Sequence, residues 1–184
     1  MPITLSGDGI TSDNITSLAA SKLTGQVPDA NAPSGSVIQV VQGVQLNYQS
    51  YASPNNDNFT DVSGFNVSIT PSSTSSRILV MLSTTVGNER MYLRLVRDTG
   101  VGVVIAVGSL TGSSQQGTVF NSALGGSSVS YQFVDSPNTT SATTYKVQVG
   151  GESGKTFYIG ASFGVGSSSH ITSPSTIIAM EIAV

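Results

Sequence analysis

The sequence predicts an all-β protein, an antiparallel β-sandwich of jelly-roll type with an extended N-terminal arm. Three observations predict it. In the central stretch 65–97, FNVSITPSSTSSRILVMLSTTVGNERMYLRLVR, apolar and polar residues alternate. Phe65, Val67 and Ile69 oppose Asn66, Ser68 and Thr70, and Met91, Leu93 and Leu95 oppose Tyr92, Arg94 and Val96. A period of two puts one face of each strand on a core and the other on solvent or a neighbour. Clusters of Gly, Pro, Ser and Asn then divide the chain after residue 35 into roughly eight to ten short strands, the spacing of a sandwich. Residues 1–34 lack this pattern and form the arm, leaving 35–184 as the sandwich domain.

Within the arm, Ser12 or Asp13 caps a short helix through Lys22, with Ile15, Leu18, Ala19 and Leu23 on one face. Such a segment is too short to hold in water alone, so its apolar stripe calls for a partner surface. The body opens with a strand at 36–42 (SVIQVVQ), continued through 44–51. After a loop at 53–57 comes a short strand at 59–62, then the central strand at 65–70 and the turn begun by Pro71. Residues 77–86 are nearly all apolar and read as the centre of a sheet. Strands follow at 91–98, 101–107, 118–123, 129–134, 144–149 and 156–163. In 144–149, Tyr145, Val147 and Val149 share a face; in 156–163, Phe157, Ile159, Ala161 and Phe163 point inward. The turn at 150–154 (GGESG) reads as a hairpin. Residues 175–184 end the chain as a strand with Ile178, Met180, Ile182 and Val184 on one side.

Composition narrows the function classes. Charged residues are 9% of the chain, the net charge is −3, and no Lys/Arg cluster is present to neutralise phosphates, which argues against nucleic acid as a partner. The surface is filled by Ser, Thr, Asn, Gln and Gly, as in many secreted or virion β-proteins. With no cysteine, neither disulfides nor thiolate metal sites are available. The start MPITL lacks a basic, then apolar, signal pattern, and no stretch approaches eighteen apolar residues, so no membrane partner is expected.

Four motifs invite chemistry, and each has a plainer reading. GGESGKT at 150–156 mimics a phosphate loop, but the Gly required five residues before Gly154 is Val149, and a strand follows where a helix is needed. His170, the single histidine, follows serines 167–169, yet no orienting carboxylate or oxyanion donor can be placed beside it. Asn55, Asn56, Asp57, Asn58 and Asp61 offer calcium-type oxygens without the spacing of a calcium loop, and they are ordinary turn residues. The sequons at Asn14, Asn58, Asn66 and Asn138 arise by chance in a chain this rich in Ser and Thr. No catalytic, cofactor or metal site is therefore assigned, and no enzyme activity is expected. Arg94 and Arg97 fall on opposite faces of one strand, so one of them meets a partner or a buried carboxylate or, as the safer default, keeps its guanidinium at the sheet rim.

GSVIQVVQG at 35–43, FNVSITPSSTSSRILVML at 65–82 and YLRLVRD at 92–98 resemble virion structural proteins of tailed bacteriophages, especially those of cyanobacteria. ASKLTGQVPDA at 20–30 is similar to linkers that precede such domains in tail fibres and head-decoration proteins. The resemblance covers most of the chain through Asp98. It implies a non-enzymatic sandwich that forms a homotrimer and sits on the capsid exterior as a decoration, or cement, protein bound to the major capsid protein. Ile10, Ile15, Leu18 and Leu23 would be the arm's contacts, and Tyr92 or Tyr158 would lie near the trimer axis. The alternative is a tail-fibre or receptor-binding tip, which would contact other tail-fibre proteins or a host surface glycan. A short arm can clamp neighbours but cannot span a shaft, which favours the capsid.

Overall fold

The computed structural model describes residues 32–52, 59–87, 90–109, 117–121, 126–162 and 171–184. The arm's expected helix with Ile10, Ile15, Leu18 and Leu23 lies outside them, as do Asn55, Asn56, Asp57, Asn58, Phe163 and His170.

The described strands are β1 (Val37–Gln45), β2 (Gln49–Ala52), β3 (Thr60–Ile69), β4 (Arg77–Gly87), β5 (Met91–Asp98), β6 (Gly102–Ile105), β7 (Val119–Asn121), β8 (Ser127–Asp135), β9 (Thr143–Gly151), β10 (Thr156–Ile159) and β11 (Ser175–Ile182). All pair antiparallel, in two sheets that pack face to face. The first sheet runs β1-β11-β4-β10-β2, with β8 on β4; the second runs β3-β9-β5-β6, with β7 on β5. Several strands are segments of one line. β2 extends β1, and β11 takes up the line of β10 along β1–β2 and β4. β6 and β7 likewise share one side of β5.

The eleven strands thus occupy eight positions, four in each sheet. In chain order, the first position pairs with the eighth (β1 with β11), the second with the seventh (β3 with β9), the third with the sixth (β4 with β8) and the fourth with the fifth (β5 with β6). One long hairpin, wrapped so that its two legs enclose a common interior, is a jelly roll.

The alternation in the sequence decides which side chains enter that interior. Phe65, Val67 and Ile69 of β3, Leu93 and Leu95 of β5, and Tyr145 and Val147 of β9 face it from the second sheet. Ile78, Val80 and Leu82 of β4, Phe157 and Ile159 of β10, and Ile177 and Ala179 of β11 face it from the first. Each large side chain so buried contributes about 1.5–3 kcal/mol relative to exposure.

Three expectations are corrected. Residues 150–154 do not form a hairpin: β9 lies in the second sheet and β10 in the first, so this turn carries the chain across the sandwich. Lys155 N donates to Glu152 O at 3.3 Å within the turn, and Glu152 N donates to Arg90 O, just before β5, at 3.2 Å. A tight turn reverses the chain, but which sheet the next strand joins is decided by where Phe157 and Ile159 find cover. The short strand expected at 59–62 is continuous with the central one as β3, whose register on β9 shifts between Asp61 and Asn66. The strand expected at 156–163 stops at Ile159, because Gly160 (φ 75°) turns the backbone out of line. Ser162 N donates to Ile171 O at 3.0 Å and Ser173 N to Gly160 O at 2.9 Å, closing the base of the excursion before β11 resumes the line.

The backbones of the two sheets approach closely where β1 passes β3. Gly43 of β1 comes so near β3 that a Cβ there would lie 2.0 Å from the Asn66 carbonyl oxygen. Three glutamines lace this side: Gln39 donates to Thr70 O at 2.7 Å, Gln45 to Ser63 O at 2.7 Å and Gln49 to the same oxygen at 2.5 Å. At the opposite side, β8 of the first sheet lies near β7 of the second.

Candidate assembly surface

The last strand contradicts the usual polarity of a sandwich. β11 buries Ile177, Ala179 and Glu181 and turns Ile178, Met180 and Ile182 outward, where they are half-buried. The side of this strand that the sequence marks as most apolar is therefore the outer side. The neighbouring strands agree. Val40 pairs with Met180, Met180 with Leu79 and Leu79 with Val134, so one apolar row crosses the whole outer face of the first sheet. Its ends are open to solvent, Val40 being 54% and Val134 47% exposed. The next row is Gln42, Ile178, Met81 and Gln132. A groove of about 480 Å³ runs over Met81, Ser83, Ser130, Gln132, Thr176 and Ile178. Among the outward positions of β1, β11, β4 and β8, the single charge is Arg77, at one end.

The outer face of the second sheet is polar by contrast. Lys146 of β9 reaches Asp61 and Asp98, at 3.0 Å each, and Gln148 donates to Asp61 at 2.8 Å. Partial burial opposes the charge of Asp61, but the bonds from Gln148 and Lys146 outweigh it and hold its carboxyl below the usual range. Asp61, one of the oxygens considered for calcium, is thus already held by a cation and an amide. Among the described residues no group of three metal-ligating side chains converges. Arg94 lies over the Phe59 ring, 3.4 Å from its centroid.

Two buried polar clusters fix the frame behind these faces. Glu181 is fully buried and accepts from Gln39 Nε2 at 2.5 Å, Ser72 N and Oγ at 2.6 Å each, and Ser76 Oγ at 2.7 Å. Burial alone would raise its pKa; these four donors outweigh burial and lower it. The carboxylate thereby anchors the Ser-rich β3–β4 connection to the last strand. At the far side, Arg97 is the arginine that meets a carboxylate: its Nη1 lies 2.9 and 3.0 Å from the Asp135 oxygens. Tyr145 donates to the same carboxylate at 2.7 Å. Asp135 belongs to the first sheet and its two partners to the second, so the cluster ties the sheets together. Burial, then the bond to Asp135 and its charge, push the Tyr145 hydroxyl far above the ordinary tyrosine value.

These groups suit structural work. The carboxylates of Glu181 and Asp135 each accept from several donors and are turned away from solvent. Tyr92 and Tyr158 lie on the outer faces of different sheets, so a single face cannot present both. Tyr158 is the one that shares a sheet with the apolar rows. Of the residues of those rows, Leu79 and Met81 were legible in one respect: 77–86 is nearly all apolar, more than a strand with one wetted face needs. No family model matches the chain, and no curated protein matches it.

Proposed function

We propose that this protein is a non-enzymatic structural protein of a tailed-bacteriophage virion, a trimer that decorates the head exterior and engages the major capsid protein through its arm and sandwich. The observation that carries the assembly part is the apolar, nearly uncharged outer face of the first sheet, above all the outward Ile178, Met180 and Ile182 beside an inward Glu181. Apolar surface left in water forfeits roughly 25 cal/mol for each Å² that a partner would cover. Because the face carries so little charge, covering it strips water from almost no ions. The resemblance of the motifs at 35–43, 65–82 and 92–98 supports the virion and the number three, and the shortness of the arm favours the capsid over a fibre shaft.

The mechanism is linkage. A trimer touches several capsid subunits at once, so contacts that are weak singly add through effective concentration. Preference for the assembled lattice then stabilises that lattice by mass action. Immunogold electron microscopy on particles of the source phage tests the placement. Label in many copies over the head is the expected result. Label confined to the tail favours the receptor-binding alternative, and no label on any particle overturns the virion reading.

A further inference from the structure

The four edges of the two sheets are not alike. β1–β2 is broken between Gln45 and Gln49, shifts register between Val37 and Gln39, and is laced to β3 by glutamines. β3 carries the register shift between Asp61 and Asn66. β6 and β7 are two short segments rather than a strand. Breaks, bulges and cover of this kind stop sheet edges from pairing with other chains. Among the described residues β8 has none of them. It pairs with β4 through nine consecutive residues without a shift, and its other side has no backbone partner among the described residues. Its sequence, SSVSYQFVD, has no Gly or Pro, and its sole charge is Asp135, already held by Arg97 and Tyr145. Behind this edge the core is thinly covered, since Tyr131 and Phe133 pack on it yet are only partly buried.

We infer that β8 is an edge built to pair, antiparallel, with β8 of a second copy about a twofold axis, joining two first sheets into one continuous sheet. Charge and side-chain pattern choose this occupant. Full overlap of the nine residues centres the axis on Tyr131, which sets Ser127 opposite Asp135, Ser128 opposite Val134, Val129 opposite Phe133 and Ser130 opposite Gln132. The two aspartates are then at opposite ends and no like charges meet. On the inner side a β-branched residue faces an aromatic one in each half, a favourable cross-strand pair. The contact uses an edge rather than the apolar face, so it stands whether or not that face makes a trimer; with the trimer, it links one trimer to the next.

Cysteine cross-linking in the full chain tests this, because the protein has no cysteine of its own. Under mild oxidation, Tyr131→Cys should form a covalent dimer, and a mixture of Ser130→Cys with Gln132→Cys should cross-link more than either variant alone. Ser128→Cys alone should give no more dimer than Val103→Cys, on a different edge. The outward pair of changes Ser128→Lys and Ser130→Lys should abolish the β8 dimer while leaving the circular dichroism spectrum of the folded chain unchanged. Ile178→Asp, which addresses the apolar face, should leave the Tyr131→Cys cross-link intact, so failure of the trimer is separable from failure of this edge. Equal cross-linking at all five single positions, none at Tyr131→Cys, or capture of Tyr131→Cys by a cysteine placed at Ile15 of the arm would each overturn the inference.

Discussion

Glu181 is buried without a cationic partner among the described residues, and it is stable there because four donors converge on it. Replacing it with Ala leaves those donors facing an apolar gap, at a cost of about 3 kcal/mol. In a chain of this size that lowers the melting temperature by roughly 6–12 °C, readable by differential scanning calorimetry. The pH dependence has a definite sign. The folded state holds this carboxyl below its unfolded value, so its contribution is complete above that value and is lost as pH falls through the folded one. Asp61 and Asp98 act in the same direction. The urea midpoint should therefore drop from about pH 5 downward, and Glu181→Gln should flatten that drop. Tyr145 gives an independent check. With its hydroxyl raised by burial and by Asp135, it should stay silent in a spectrophotometric titration in which exposed tyrosines ionise near pH 10. Tyr145→Phe keeps the ring and loses the bond, for about 1–2 kcal/mol of stability in urea.

At the scale of elements, strands were far more legible than their partners. Period two located the inward residues of β3, β5 and β9, because half-burial leaves that imprint on any strand. Turn chemistry located the reversals, Gly100 among them, but could not distinguish a hairpin from a crossing between sheets: GGESG has the residues of either. The interruption of β10–β11 was hidden because Ala161 is buried, in phase with Phe157 and Ile159, although Gly160 ends the regular strand. The proposed arm contacts fall outside the described residues, and nothing in the sequence alone could signal an edge left unprotected, since edges exist only once the order of strands is known. Gly43 is the element-scale position most open to test. A methyl group there meets the Asn66 carbonyl and must part β1 from β3. Gly43→Ala should cost about 1–3 kcal/mol and speed amide exchange along β1, whereas the same change at Gly108, which has open space around it, should do neither.

For the whole molecule, the significant fact is the unlikeness of its two outer faces. One is polar, with Lys146 clamped between two carboxylates; the other is apolar across its width and nearly free of charge. A strand that hides a glutamate and shows isoleucine and methionine is consistent with a protein whose surface is finished only by a neighbour. Ile178→Asp places a charge in the middle of that face without touching the core, so it should disrupt the assembly and leave the fold cooperative. Sedimentation equilibrium of the unaltered protein at micromolar concentration tests the central claim most directly. Three chains, or a multiple of three where β8 edges also pair, is the predicted mass, reduced for Ile178→Asp. A single chain mass across the concentration range, identical for the two proteins, would contradict it.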